Sequence, residues 1–208
     1  HVLSNELAIL TGNAINRLLK KNNLIPSQIK GVGYHGQTVR HKPDKGYSIQ
    51  IGNADLLAEI THLDIVSNFR NRDIAAKGQG APLVPAFHKY LFYSKSKNRV
   101  IVNIGGISNI TYLPISGKIV GFDCGPGNIL MDHWIKLNYD LNFDKNGIWA
   151  KKGTVIDNLL TYFLKDKFFK QKPPKSTGRD HFNLEWIKKG IKKNYSSQDV
   201  QRTLLELT

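Results

Sequence analysis

The residues with most chemistry to offer lie in the stretch from Ile65 to Leu83, IVSNFRNRDIAAKGQGAPL. One carboxylate, Asp73, stands beside Arg70 and Arg72, with Gly78, Gln79 and Gly80 a few positions on. A carboxylate among cations can accept a proton from a reacting group, and neighbouring glycines let a ligand approach the backbone. The same residues also suit a plain structural ion pair, the commoner use of such a cluster. A second stretch, Asn103-Ile104-Gly105-Gly106-Ile107-Ser108-Asn109, joins two apolar runs. It offers backbone N–H groups and two amide side chains to an anion, or it is a hairpin turn. A third, Asp123-Cys124-Gly125-Pro126-Gly127-Asn128, stands between an apolar run and a helical pattern. That order makes an anion site at a helix N-terminus or a tight βα connection.

In a fourth stretch, His35-Gly36-Gln37-Thr38 ends a glycine-marked apolar run. Gln37 and Thr38 suit the reading of sugar hydroxyls there, or are ordinary loop polarity. His35 and His41 lack a third ligand nearby, so hydrogen bonding is expected of them and no metal ligand is assigned. Cys124 has no partnering base and reads as a small packed residue.

These groups need elements to position them. Apolar residues at Leu3, Leu7, Leu10, Ala14 and Leu18 predict an amphipathic helix over 2–20. Strands are predicted over 29–34, 47–51, 65–69, 99–104, 110–113 and 119–122. Residues 69–73 read as a charged turn and 75–80 as a small-residue loop. Helices are predicted over 54–61 with Asn53 as cap, from Pro85 through Phe92, and over 129–137, 155–164, 184–191 and 199–208, the last capped by Ser196 or Ser197. Residues 144–153 read as a loop and 165–176 as an extended link. The mixture of strands and helices predicts an α/β fold.

The totals narrow the class. A chain of 208 residues with 40% hydrophobic content buries a core as one large domain or two small ones. A single cysteine excludes an internal disulfide and a cysteine-built zinc site, and suits a reducing cytoplasm. No run is long and apolar enough to span a membrane, and no signal peptide is visible. The formal charge is +14, from 30 basic and 16 acidic residues. The lysines are scattered and no nucleic-acid signature accompanies them, so a solvated basic surface is expected rather than a nucleic-acid partner. The sequence starts at His1 and ends inside a helical pattern, which leads us to expect a fragment of a longer protein.

Five stretches in register, 33–41, 69–85, 103–109, 122–128 and 175–183, resemble the anhydro-N-acetylmuramic acid kinase family, and the resemblance covers nearly the whole chain. That family belongs to the actin, hexokinase and Hsp70-like ATPase superfamily, in which two ribonuclease-H-like domains clasp ATP and substrate in a cleft. The resemblance implies that residues 1–98 are the remainder of a first such domain with the sugar site, and 99–208 the start of a second with a phosphate loop. It implies ATP and magnesium as cofactors, an amino sugar as small-molecule substrate, a cytoplasmic setting, and a homodimer as a candidate assembly.

Carried over residue by residue, Asp73 is the catalytic base. His35, Gln37, Thr38, Arg70 and Gln79 are on the sugar side. Asn103, Gly105, Gly106, Ser108, Asn109, Asp123, Gly125, Gly127 and Asn128 are on the nucleotide side. Lys77 departs from the family pattern, which has glycine there. The family's N-terminal glycine-rich phosphate loop and the segment completing its adenine pocket have no counterpart in these residues, so the full protein is expected to be a kinase and these residues alone inactive. Two alternatives remain: another sugar or small-acid kinase of the same superfamily, and a non-catalytic basic binding protein.

Overall fold

Apolar runs on either side of Gly105-Gly106 build an antiparallel hairpin in the second half of the chain. The computed structural model describes residues 1–208 and is mixed α/β with small sheets. The chain divides into two compact units, His1–Gly80 and Ala81–Thr208.

In the first unit, helix α1 (Val2–Lys21) packs on helix α2 (Ala54–Thr61). Gly12 allows the approach: a Cβ there would lie 2.6 Å from Ile60 Cγ2. Ala8, Leu57 and Tyr34 form the small buried core. Asn53 caps α2 as expected, its side chain accepting from the Leu56 amide at 3.0 Å. Strands β1 (Val32–Gly33) and β4 (Ile65–Val66) pair in parallel, and β2 (Gln37–Lys42) pairs antiparallel with β3 (Tyr47–Ile51). Two strands are thus shorter than predicted. β4 stops because Asn68 turns into the left-handed region at φ 59°, ψ 44°.

The predicted charged turn is instead helix α3 (Phe69–Ala75). Its sequence FRNRDIA holds no glycine or proline, and its helix formers outweigh the turn signal of Asn71 and Asp73.

In the second unit, helix α4 (Pro85–Phe92) precedes the sheet, with proline in its first turn. Strands β5 (Arg99–Ile104), β6 (Ile107–Leu113) and β7 (Val120–Pro126) form a meander in the order β5-β6-β7. Helix α5 (Ile129–Tyr139) follows directly. The predicted loop 144–153 contains helix α6 (Ile148–Lys151), whose Trp149 and Ala150 amides donate to Asp144. Helix α7 (Asp157–Leu164) is followed by α8 (Lys167–Lys170), inside the predicted extended link, then α9 (Leu184–Lys188) and α10 (Ser197–Leu207), which Ser196 caps. Aromatic side chains join these helices. Phe163 stacks on Trp186 at 4.4 Å between ring centroids, and Phe182 lies fully buried beside them.

The link at 165–176 is anchored by Asp166, whose carboxylate accepts from Trp186 Nε1, His181 Nε2 and the Phe168 amide. Partial burial pushes its carboxyl up, but these three hydrogen bonds outweigh burial and hold it below the usual range.

Candidate functional site

The first unit holds Asp73 on α3, exposed to solvent. One carboxylate oxygen, Oδ2, accepts from the Gly80 amide at 2.7 Å, and no group of the chain donates to Oδ1. The Asp73 carbonyl accepts from the Gly78 amide, also at 2.7 Å. A Cβ on Gly78 would collide with both carboxylate oxygens of Asp73, so any larger residue there would displace that carboxylate. The 78–80 loop therefore wraps the carboxylate and fixes its orientation, leaving one oxygen free to take a proton or bind a hydroxyl.

Arg70, one helical turn earlier, ties this loop to a second group. Its Nη1 donates to Gly80 O at 2.5 Å and its Nε donates to His35 Nε2 at 3.0 Å. His35 Nε2 is therefore the acceptor, and Nδ1 carries the proton and donates to Gly36 O at 2.9 Å. His35, Arg70, Gly80 and Asp73 thus form one connected chain of hydrogen bonds.

His35 lines a cavity of about 320 Å³. Tyr34, Ser48, Gln50, Asn68 and Asn71 share its wall, and no Lys, Arg, Asp or Glu does. Gln37 and Thr38 are not in that wall. They sit in β2, paired with Ile51 and Gln50, where Thr38 Oγ1 accepts from Gln50 Nε2 at 3.1 Å. Gln79 is half-buried between the two glycines that hold Asp73. Sequence reading missed Ser48, Gln50, Asn68 and Asn71. Their signal was weak, because each is a common polar residue and they come from two separate stretches.

Lys77 takes φ 68° and is exposed. A side chain in that region costs roughly 1–2 kcal/mol relative to the right-handed form, whereas glycine adopts it freely. Lys77→Gly is therefore expected to raise stability by up to about 1 kcal/mol once the extra flexibility of unfolded glycine is subtracted, a gain that urea unfolding would read as a higher midpoint at unchanged slope.

The second unit holds the glycine hairpin. Asn103 and Asn109 face each other across β5 and β6, and Ile104 faces Ser108. The Gly105 and Gly106 carbonyls accept from the amides that open α5. Gly127 donates to Gly106 at 2.9 Å, Asn128 to Gly105 at 2.8 Å and Ile129 to Gly106 at 3.3 Å. These bonds bear on the two readings of the third stretch. The 127–129 amides all donate to the hairpin tip, as in a tight βα connection that braces it. The Gly105 and Gly106 amides themselves donate to no group of the chain. The Ser108 hydroxyl is buried without a partner beside Gly127.

Asp123 lies in the interior of β7, buried. Its Oδ2 accepts from the Thr177 amide at 2.9 Å and its own amide donates to Lys175 O at 3.1 Å. The segment 175–177 thus runs beside β7, a contact that the sequence did not reveal. Lys175 is buried, with Nζ donating to Phe168 O at 3.1 Å and lying 4.5 Å from the centre of the Phe168 ring. Burial pushes the Cys124 thiol up; nearby Lys175 opposes this and Asp123 adds to it. A thiol raised in this way is a poor nucleophile, in keeping with the packed role expected of it.

No helix is long and apolar enough to cross a membrane. A family model for anhydro-N-acetylmuramic acid kinase matches residues 1–208. The chain is 52% identical over 209 residues to the anhydro-N-acetylmuramic acid kinase of Nitrosomonas europaea, covering 100% of this chain and 58% of that protein. It is 51% identical to the kinase of that name from Pseudomonas syringae pv. syringae, covering 96% of this chain and 55% of the relative, and 47% identical to that from Pseudomonas putida, at 98% and 57%. The chain spans a little over half the length of these curated relatives. With the ordered motifs placed in the fold and the match running from His1 to Thr208, the chain belongs to the anhydro-N-acetylmuramic acid kinase family.

Proposed function

We propose that the protein carrying this chain is an ATP- and magnesium-dependent kinase of the cytoplasm. It opens the ring of 1,6-anhydro-N-acetylmuramic acid with water and phosphorylates O6, giving N-acetylmuramic acid 6-phosphate in peptidoglycan recycling. The observation that carries this reading is the Asp73 carboxylate, with one oxygen held by the Gly80 amide and the other free. A fixed, half-satisfied carboxylate is what a general base for water requires. Asp73 Oδ1 takes a proton from the water that adds to C1. The C1–O6 bond breaks as the new C1–O bond forms. Bound ATP with magnesium would supply the γ-phosphoryl group, which O6 receives as the bond from that group to the departing ADP breaks.

His35, Arg70 and Gln79 support the sugar side around Asp73, while Gln37 and Thr38 belong to the adjoining β2–β3 hairpin. The unpartnered Gly105 and Gly106 amides suit phosphate oxygens, with Asn103, Ser108 and Asn109 flanking them and Gly127 and Asn128 bracing them. Asp123 and Gly125 lie in the adjoining β7. Magnesium in phosphoryl-transfer sites rests largely on phosphate oxygens and water with one or two carboxylates. That need is compatible with a chain that gathers no group of three or more His, Cys, Asp or Glu side chains. The three-stranded meander followed by α5 supports reading 99–208 as the start of a second ribonuclease-H-like domain and 1–98 as the remainder of a first, and a homodimer is the assembly to test by sedimentation.

Turnover in ¹⁸O-labelled water tests the reaction. The full-length protein with ATP, magnesium and the anhydro sugar is expected to place label at C1 and phosphate at O6, read by mass spectrometry of the product. A phosphorylated product without label at C1 would point to a different kinase chemistry.

A further inference from the structure

Scattered along the sequence, the lysines gather in the second unit. Segment 162–172, from the end of α7 through α8, carries Lys165, Lys167, Lys170 and Lys172, all exposed. Segment 185–193, around α9, carries Lys188, Lys189, Lys192 and Lys193, exposed as well. Two contacts hold the segments side by side. Trp186 Nε1 donates to Asp166 Oδ2 at 2.7 Å, and a Cβ on Gly190 would lie 2.7 Å from Tyr162 Cδ1. The lysines that flank Asp166 and those that follow Trp186 therefore share one region of the surface.

The chain does little to neutralise this region. Its two carboxylates are engaged: Asp166 by Trp186, His181 and the Phe168 amide, and Glu185 by Lys188 at 2.8 Å. The other seven lysines pair with no carboxylate of the chain. Like charges crowded together repel, and a partner of opposite charge relieves the repulsion. The side-chain types narrow that partner. Neither segment has an arginine, the residue that forks onto the phosphates and bases of nucleic acid. The rings nearby, Phe163, Phe168, Phe182 and Trp186, are buried and offer no base a stacking platform. What lies exposed beside the lysines is Tyr162 and Leu164, at 48% and 50%. A phenol and an aliphatic chain among flexible ammonium groups match the headgroup layer of a bilayer.

We propose that this face of the second unit is a docking surface for an anionic phospholipid bilayer, on which the protein rests peripherally. The lysine ammonium groups lie against lipid phosphates, and Tyr162 and Leu164 enter the headgroup layer. Charge density alone is read there: each lysine near such a surface strengthens partitioning by roughly fivefold. The surface stands apart from the kinase reading, since none of its residues is placed on the sugar or the nucleotide side.

Sedimentation of the full-length protein with vesicles tests this. The wild type is expected to pellet with vesicles of equal parts phosphatidylglycerol and phosphatidylcholine, to stay in solution with phosphatidylcholine alone, and to be released by raised salt. Lys165→Gln, Lys167→Gln, Lys189→Gln and Lys192→Gln combined are expected to weaken partitioning by at least about 100-fold, with thermal unfolding unchanged. A control carries the same change at four exposed lysines of the first unit, Lys20, Lys21, Lys30 and Lys45, and is expected to bind nearly as the wild type does. Equal loss in the two variants overturns the proposal, because net charge rather than this face would then carry the binding. Failure of the wild type to bind the anionic vesicles overturns it too. So does tighter binding to duplex DNA than to the vesicles through the same four lysines, which would make the face a nucleic-acid surface.

Discussion

Asp73→Asn is expected to lower turnover of the anhydro sugar by roughly 10²–10⁴-fold, the usual contribution of a positioned general base. The substitution is nearly isosteric. The asparagine carbonyl oxygen can still accept from the Gly80 amide, which Asp73 Oδ2 does at 2.7 Å, so the wrapping of the 78–80 loop survives. What is lost is the capacity of the free oxygen to take a proton from water. Steady-state kinetics on the full-length protein should therefore show kcat falling much more than KM changes, with the folded fraction and the urea midpoint close to wild type. Full activity in Asp73→Asn would remove Asp73 from the role of base and return it to a structural one. Loss of activity together with loss of fold would show instead that the carboxylate chiefly holds the 78–80 loop.

Gly127→Ala is expected to cause the second-largest loss, through a residue the sequence placed on the nucleotide side. A Cβ at Gly127 would drive into the Gly105 carbonyl and lie 3.0 Å from Ser108 Oγ. The first obstacle is backbone and cannot rotate away, so the hairpin tip must move. The hydrogen bonds from Gly127 to Gly106 and from Asn128 to Gly105 are strained or lost with it. Overpacking of this kind costs about 1–3 kcal/mol in stability. Because the same tip carries the unpartnered Gly105 and Gly106 amides, nucleotide affinity should fall at least about tenfold, as for the loss of a charge-assisted hydrogen bond. Gly105→Ala provides the contrast. Its Cβ would meet nothing closer than Ile107 O at 3.9 Å, so the fold should tolerate it. If the tip approaches phosphate, Gly105→Ala weakens nucleotide binding at unchanged stability, whereas Gly127→Ala lowers both. Calorimetry with a non-hydrolysable ATP analogue and urea unfolding would separate the two. Unaltered nucleotide affinity in both variants would remove the tip from the nucleotide site.

The sequence by itself determined the family and most of the elements. Helix α2 with its Asn53 cap, the hairpin around Gly105-Gly106 and the start of α5 follow from local rules: a cap oxygen three residues from the amide it binds, runs rich in β-branched residues, and glycine where the chain must reverse. The five motifs in register carried the family, because each is a local run of residue types. Short elements escaped. Helix α3 has seven residues, too few for a 3.6-residue period to show, and its charges read as a turn. Lys77 stood out as a departure in sequence, but its cost became concrete only with a φ of 68°.

Tertiary structure alone decided how the groups are used. Asp73 became a half-satisfied carboxylate because Gly80, seven residues on, returns to it. The 127–129 amides brace the hairpin tip, more than twenty residues earlier, because it lies against them. The neutral cavity is assembled from Tyr34–Gly36, Ser48–Gly52 and Ser67–Asn71, three stretches with no shared pattern. Propensity and periodicity report on neighbours along the chain. Which donor meets which acceptor across tens of residues is set by the packing of one element on another, and that is where Asp73 gained its free oxygen.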